Sequence, residues 1–63
     1  MNISKLKGLM AEHGETQQDI AKLLGITATA FAKKMKQPNR FKFDEVKILS
    51  QHYKVDINIF LKW

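Results

Sequence analysis

Residues 16–36 have the sequence TQQDIAKLLGITATAFAKKMK, which predicts two short helices joined by a three-residue turn. Thr16 and Asp19 form a T-x-x-D variant of the capping box, so the first of these helices begins at Thr16. Gly25 ends it, because only glycine adopts a positive φ without penalty. Thr27 caps the second helix, which we expect to run for about ten residues, until just before the single proline of the chain.

The residues around the turn indicate how the two helices pack. Helices joined so tightly cross at a steep angle, which lets the second one project from the body. Ala21 is small where the helices approach each other, and Ile26 and Phe31 are apolar where the elbow between them must be packed. This ordered set, with Gly25 in the turn, predicts a helix-turn-helix.

Three further helices are expected around this pair, over residues 2–13, residues 43–53 and a short segment capped by Asp56. Apolar residues recur in each at the three-to-four spacing of a helix with one buried face. Of Phe41 and Phe43, at least one is expected to pack on the core. The predicted inward side chains are Ile3, Leu6, Leu9 and Met10, then Phe43, Val46 and Leu49 with Ile48 as a further candidate, and then Ile57, Phe60 and Leu61. The fold class is therefore all-α, a compact bundle of five helices without strands.

Length and composition exclude several classes of protein. The 63 residues allow a single domain over residues 1–63, whose core is small because short chains bury only ~60% of their surface. The chain has no cysteine, no Gly-rich phosphate loop and no His–carboxylate constellation, so we expect no metal ion, no cofactor, no small-molecule substrate and no enzyme. No apolar run approaches the ~20 residues of a membrane span, so we expect a cytoplasmic protein.

The net charge of +5 comes from one part of the chain. Residues 1–26 and residues 43–63 each have as many acidic as basic side chains, whereas residues 27–42 have five basic side chains and no acidic one. We call residues 27–42 the basic segment. A charge run is often only a solvated face, but one without compensating acidic residues favours a polyanion as the partner.

The sequence resembles the Xre/Cro family of phage repressors and their relatives over nearly its whole length. Residues 16–27 are similar to the pattern T-Q-x-x-L-A-x-x-L-G-[VI]-S of that family. Residues 41–46, followed by Leu49, Tyr53 and Val55-Asp56, resemble its next helix and the L-G-V-S/D boundary after it. The resemblance implies a five-helix, lambda-repressor-like domain that binds operator DNA, commonly as a dimer.

The resemblance also implies which residues contact bases in the major groove: Ala28, Thr29, Ala32 and Lys33. Methyl groups of alanine and threonine can meet the thymine C5-methyl group, and a lysine can reach guanine O6 or N7. The alternative is that the alanines are only good helix formers on an exposed surface. Relatives often have an apolar residue at the position of Lys34, and whether Lys33 or Lys34 points at a base stays open.

Seven residues are expected to bind DNA phosphates: Gln17, Thr27, Lys34, Lys36, Asn39, Arg40 and Lys42. By resemblance, Gln17 does so at the start of its helix, and Thr27 does so through its hydroxyl or backbone N–H at a positive helix end. The others are grouped in or after the second helix of the pair, and the alternative is that they are solvated. Each contact would add about 0.9 to the steepness with which log K of binding falls against log salt concentration.

The C-terminal residues 57–63, INIFLKW, are unusually apolar for a chain end. We expect Ile59, Phe60 and Trp63 to form a two-fold dimer interface, since aromatic residues are enriched in interface cores. The alternative is that Trp63 packs on its own domain.

The leading functional hypothesis is a Cro-like repressor that covers a promoter by binding a pseudo-palindromic operator as a dimer, with half-sites about 34 Å apart. Because the chain ends where longer repressors continue into a second domain, we expect no induction by self-cleavage. The alternative hypothesis is a protein-interaction module on the same scaffold, such as an antitoxin or an anti-host inhibitor, which would use the apolar C-terminus.

Overall fold

The computed structural model describes residues 1–61 and contains five α-helices. They are α1 (Ile3–Glu12), α2 (Gln17–Leu24), α3 (Ala28–Lys36), α4 (Phe43–Tyr53) and α5 (Asn58–Leu61), with a 3-10 turn at Pro38–Arg40 between α3 and α4. These 61 residues contain no strand, which confirms the all-α fold class. Within the same range, every helix is too short or too polar to cross a lipid bilayer.

Side chains cap the helices where the sequence predicts it. Thr16 and Asp19 form the reciprocal capping box, with the Asp19 N–H donating to Thr16 Oγ1 at 3.2 Å and the Thr16 N–H donating to Asp19 Oδ2 at 2.9 Å. Gly25 ends α2 with φ at 73°, in the left-handed region where an L side chain would be strained. The boundaries of the helix-turn-helix are therefore fixed by local contacts.

The core lies where all five helices meet. Its largest fully buried side chains come one from each helix: Leu6, Ile20, Phe31, Leu49 and Phe60. A backbone hydrogen bond joins α5 to the residue before α1, because the Asn2 N–H donates to the Phe60 carbonyl at 2.6 Å. Helices α2 and α3 are thus held by a core to which every helix contributes a buried side chain.

Three of the predicted inward side chains are exposed instead, and these predictions were wrong. Phe43 is 62% exposed, Leu61 44% and Ile48 36%. Phe43 lies at the margin of the buried face of α4, which centres on Val46, Leu49 and Tyr53. Leu61 is the last residue of a single-turn helix that inserts Phe60 into the core.

The aromatic pair before α4 is divided between core and surface. Phe41 packs against the core, with its ring edge-on to Phe31 at a centroid distance of 6.0 Å, whereas Phe43 faces outward. The prediction that at least one of the pair packs inward is thereby confirmed.

Candidate nucleic-acid interface

Helix α3 contacts the core of the domain mainly through two apolar side chains. Of its nine residues, Phe31 is the one that the described chain buries fully, while Met35, one turn later, is half-buried against the core. Ile26 in the turn packs against the same cluster, as the sequence predicts for the elbow between α2 and α3. The opposite side of α3 is left on the surface.

The predicted base-contacting residues share that outward side. Positions three and four residues apart along a helix lie on the same face, which relates Ala28 to Ala32 and relates Thr29 to Ala32 and Lys33. Ala28, Thr29 and Lys33 are exposed, and Ala32 between them is half-buried. The face is built of small side chains with one long cation at its edge, so a flat or grooved partner can approach the helix backbone closely.

Two of the predicted phosphate-binding residues lie at helix N-termini, where unpaired backbone N–H groups and the helix dipole favour anions. Gln17 is exposed at the first position of α2, and Thr27 is exposed at the N-cap of α3. Thr27 Oγ1 accepts the Ala30 N–H at 3.1 Å, which leaves the hydroxyl hydrogen to donate elsewhere.

Four more of the predicted phosphate-binding residues, three cations and one asparagine, lie in or beside the 3-10 turn. Lys36, Asn39, Arg40 and Lys42 are all exposed. The turn is held by backbone hydrogen bonds from the Arg40 N–H to the Gln37 carbonyl, at 2.9 Å, and from the Phe41 N–H to the Pro38 carbonyl, at 3.2 Å.

Lys33 and Arg40 both line each of two clefts. One cleft, of about 330 Å³, is lined by Lys33, Lys36, Gln37 and Arg40. The other, of about 350 Å³, is lined by Ala30, Lys33, Lys34, Arg40 and Lys42. Because the lining is cationic and open to solvent, these clefts suit the phosphate groups of a polyanion.

Lys34 is placed differently from the other cations. Its Nζ lies 3.0 Å from Glu45 Oε1 and donates to the Arg40 carbonyl at 3.1 Å, and its side chain is 14% exposed. The same Glu45 oxygen accepts the Lys42 N–H at 2.9 Å. The sequence prediction that Lys34 binds phosphate did not foresee this pairing, although the apolar residue that relatives often have at this position was a signal of an inward-facing site.

A second polar cluster, also missed from the sequence, joins the loop before α2 to the end of α4. Glu15 Oε1 accepts a hydrogen bond from the Tyr53 hydroxyl at 2.6 Å, and Glu15 Oε2 lies 2.5 Å from His52 Nε2. The His13 ring lies 5.1 Å from the Tyr53 ring. Sequence separations of 37 and 38 residues leave no local signal of this cluster.

The cluster changes the titration of its members. Burial alone would raise the pKa of Glu15, but the hydrogen bonds from Tyr53 and His52 outweigh it and hold that pKa below its usual value. Burial, together with the hydrogen bond to the Glu15 carboxylate, raises the pKa of Tyr53. Tyr53 is therefore a neutral donor and Glu15 an anionic acceptor at neutral pH.

The residues predicted to form a dimer interface differ in how far they are exposed. Phe60 has no exposed surface, because α5 inserts it into the core, so it has nothing to offer a partner subunit in this fold. Ile59 is half-buried against the same core. Trp63 lies outside the described residues.

Comparison with known proteins gave one finding. A family model of the Cro/C1-type helix-turn-helix DNA-binding domain matches residues 5–63. Neither the curated proteins nor the solved structures gave a match. The match confirms the resemblance drawn from the sequence, and it spans α2, α3, the basic segment and α4.

Proposed function

We propose that this chain, which belongs to the family of Cro/C1-type helix-turn-helix DNA-binding domains, is a sequence-specific transcriptional repressor. The observation that carries the proposal is the exposed face of α3, whose small residues lie within the basic segment, the part of the chain that holds the whole net charge of +5. A DNA-binding domain of this kind can regulate transcription without catalysing a reaction, and the proposal invokes no cofactor and no metal ion.

In the proposed complex, α3 enters the major groove. The groove is about 12 Å wide and admits a helix, and side chains as small as those of Ala28 and Ala32 let the helix approach the base edges. Thr29 and the two alanines then offer methyl groups to thymine, and Lys33 reaches guanine O6 or N7 at the edge of the face. Discrimination between bases would depend more on shape and methyl contacts than on bidentate hydrogen bonds.

Phosphate contacts fix the position of α3 in the groove. We assign them on one side to Gln17 and Thr27, at the N-termini of α2 and α3, and on the other side to Lys36, Asn39, Arg40 and Lys42 around the 3-10 turn. The exposure of all six residues supports this assignment.

Repression would follow from covering a promoter. Two copies bound to a pseudo-palindromic operator, with half-sites about 34 Å apart, would exclude RNA polymerase from the DNA between and beside them. Ile59 and Trp63 remain our candidates for the contact between the copies. A protein acting in this way works where the bacterial nucleoid is, in the cytoplasm.

The test begins with selection of bound duplexes from a random oligonucleotide pool, followed by gel-shift titration of the enriched site. We expect a palindromic site whose binding survives excess competitor DNA and is lost in Lys33→Ala. Lys7→Ala is the matched control, because it removes an equal charge from an exposed position on α1. Equal affinity for all sequences in the pool would contradict sequence-specific repression.

A second candidate function is binding to a protein partner, as an antitoxin or an inhibitor does. The observation that favours it is the exposed apolar surface of Phe43 and Leu61. This candidate predicts a stoichiometric complex with a protein that is lost in Phe43→Ser, together with an absence of salt-sensitive DNA binding.

A further inference from the structure

We propose that Lys34 is a positioning residue: it holds the 3-10 turn against α4 and does not itself bind a DNA phosphate. The inference rests on the proposed DNA-binding function and deepens it. It separates the cations that contact DNA from Lys34, which holds the backbone that carries two of them. It also answers which of two adjacent lysines faces the partner, since Lys33 is exposed and Lys34 is held inward.

Three segments of backbone meet at the Lys34 ammonium group. Lys34 itself belongs to the last turn of α3, its hydrogen bond to the Arg40 carbonyl at 3.1 Å reaches the end of the 3-10 turn, and its partner Glu45 lies in the first turn of α4. Glu45 Oε1 in turn accepts the backbone N–H of Lys42 at 2.9 Å. The two side chains therefore connect every element around the turn.

The charge of Lys34 is already matched inside the protein. Its Nζ lies 3.0 Å from a carboxylate oxygen, and both side chains are nearly buried, at 14% and 10% exposed. An ammonium group has three donors, of which the Glu45 carboxylate and the Arg40 carbonyl occupy two. A lysine that stays paired with a carboxylate neutralises no phosphate, so it releases no cation condensed on the DNA and should not contribute to the salt dependence of binding.

The function of the pair follows from what it fixes. Arg40 and Lys42 both direct their side chains outward from backbone groups that the pair holds, the Arg40 carbonyl and the Lys42 N–H. Holding these groups before binding reduces the ordering cost of forming phosphate contacts. Replacing a buried ion pair by neutral side chains often leaves stability unchanged, so the loss of the pair is expected to act on the turn rather than on the whole fold.

The test uses the double variant Lys34→Met/Glu45→Gln, which keeps the net charge of the wild-type chain. The methionine removes the ammonium group, whereas the amide oxygen of the new glutamine can still accept the Lys42 N–H. Lys36→Met is the control, since Lys36 is exposed and assigned to a phosphate. Affinity for a labelled 20-base-pair duplex is measured between about 50 and 200 mM KCl by fluorescence anisotropy.

We expect the double variant to bind more weakly than the wild type but with the same dependence of log K on log salt concentration. Lys36→Met should lower the slope by about 0.9, the value of one phosphate contact. A slope that falls by about 0.9 in the double variant as well would overturn the proposal, because it would show that Lys34 neutralises a phosphate.

A second measurement needs no DNA. Amide hydrogen exchange at Arg40 and Phe41, whose N–H groups form the hydrogen bonds of the turn, should become roughly five-fold to ten-fold faster in the double variant, as expected when one supporting hydrogen bond is lost. The Ile20 amide, inside α2, should keep its exchange rate and so report that the fold is intact. Unchanged exchange at Arg40 and Phe41 would overturn the positioning role.

The two measurements separate this inference from the proposed function. A wild-type chain that binds no duplex at any salt concentration would contradict the proposed function, whereas faster exchange at the turn would still support the positioning role. Should the double variant fail to fold, the single variant Glu45→Gln serves instead. It keeps the oxygen that caps α4 and the Lys34 donor to the Arg40 carbonyl, but it removes the charge that holds Lys34 in place. A smaller acceleration of exchange at Arg40 and Phe41 is therefore expected, and unchanged exchange would again overturn the positioning role.

Discussion

The two ends of α4 hold the helix-turn-helix by different means. At the N-terminal end, Glu45 pairs with Lys34 and so fixes the chain that leaves α3. At the C-terminal end, Tyr53 and His52 contact Glu15 and so fix the chain that enters α2. Both contacts are made by a carboxylate, but the acidic residue belongs to α4 at one end and to the helix-turn-helix side at the other.

The difference between the two ends indicates a difference in role. The N-terminal contact involves Lys34 of the basic segment, whose other cations are exposed, so changes there should alter the proposed DNA binding. The C-terminal contact joins segments whose net charge is zero, so changes there should alter stability. Between them, α2 and α3 are held at both outer ends, and Phe31 packs between the elements as their shared apolar anchor.

The largest effect is expected from removing that shared anchor. Phe31→Ala would leave a cavity beneath α3 at a site with no exposed surface, and such truncations lower the free energy of unfolding by about 3–5 kcal/mol. Urea denaturation followed by circular dichroism measures the loss. Phe43→Ala is the matched control, because Phe43 is 62% exposed and should cost less than about 0.5 kcal/mol. Equal losses in both variants would contradict the description of the core.

The next effect tests the C-terminal end of α4. Tyr53→Phe removes the hydroxyl that donates to Glu15 at 2.6 Å and should cost about 1.5 kcal/mol, the lower end of the range for a hydrogen bond to a charged group. The lower end applies because the Glu15 side chain keeps 17% exposure to water. The same substitution made in a Glu15→Gln background should cost less, and an identical cost in both backgrounds would exclude coupling between the two residues.

A pH series tests the same end through the charge of Glu15. The folded state holds the pKa of Glu15 below its ordinary value, so the unfolded chain binds the proton more readily. The resulting stability is therefore fully present above the unfolded pKa and is lost as the pH falls through the folded pKa. The difference in unfolding free energy between the wild type and Glu15→Gln should shrink as the pH is lowered from 6 toward about 3. A difference that stays constant over this range would show that Glu15 is not the titrating group.

The helices and their ends were predictable because local sequence specifies them. The reciprocal bonds of Thr16 and Asp19 span three residues, and the positive φ of Gly25 follows from its lack of a side chain. The exposed face of α3 was predictable for a similar reason, since one aromatic anchor at Phe31 and a helical period fix which residues face away from it.

The long-range contacts were not predictable, because no periodicity reports which polar side chains meet. Glu15 and Tyr53 are 38 residues apart, and their contact depends on how α1, α2 and α4 pack. Lys34 looked like one more exposed cation, and only the packing of α4 against the end of α3 brings Glu45 to it. Phe60 was assigned both to the core and to a dimer interface, because the pattern of so short a helix does not say which apolar side is buried, and its complete burial places it in the core.

The smallest expected effect sharpens the comparison at the residue where α4 ends. Lys54 follows Tyr53 with φ at 56°, the left-handed conformation that costs an L residue energy and a glycine almost none. Lys54→Gly should therefore raise the free energy of unfolding, by a net amount of about 0.5 kcal/mol, because the greater freedom of glycine in the unfolded chain offsets part of the gain. Urea denaturation measures the change, and Lys54→Val, which is β-branched, should shift stability in the opposite direction. Since Lys54 lies outside the basic segment, the slope of log K for DNA binding against log salt concentration should stay the same in both variants. A changed slope would mean that the C-terminal end of α4 also contacts DNA. The two ends of α4 would then differ less in role than their contacts imply.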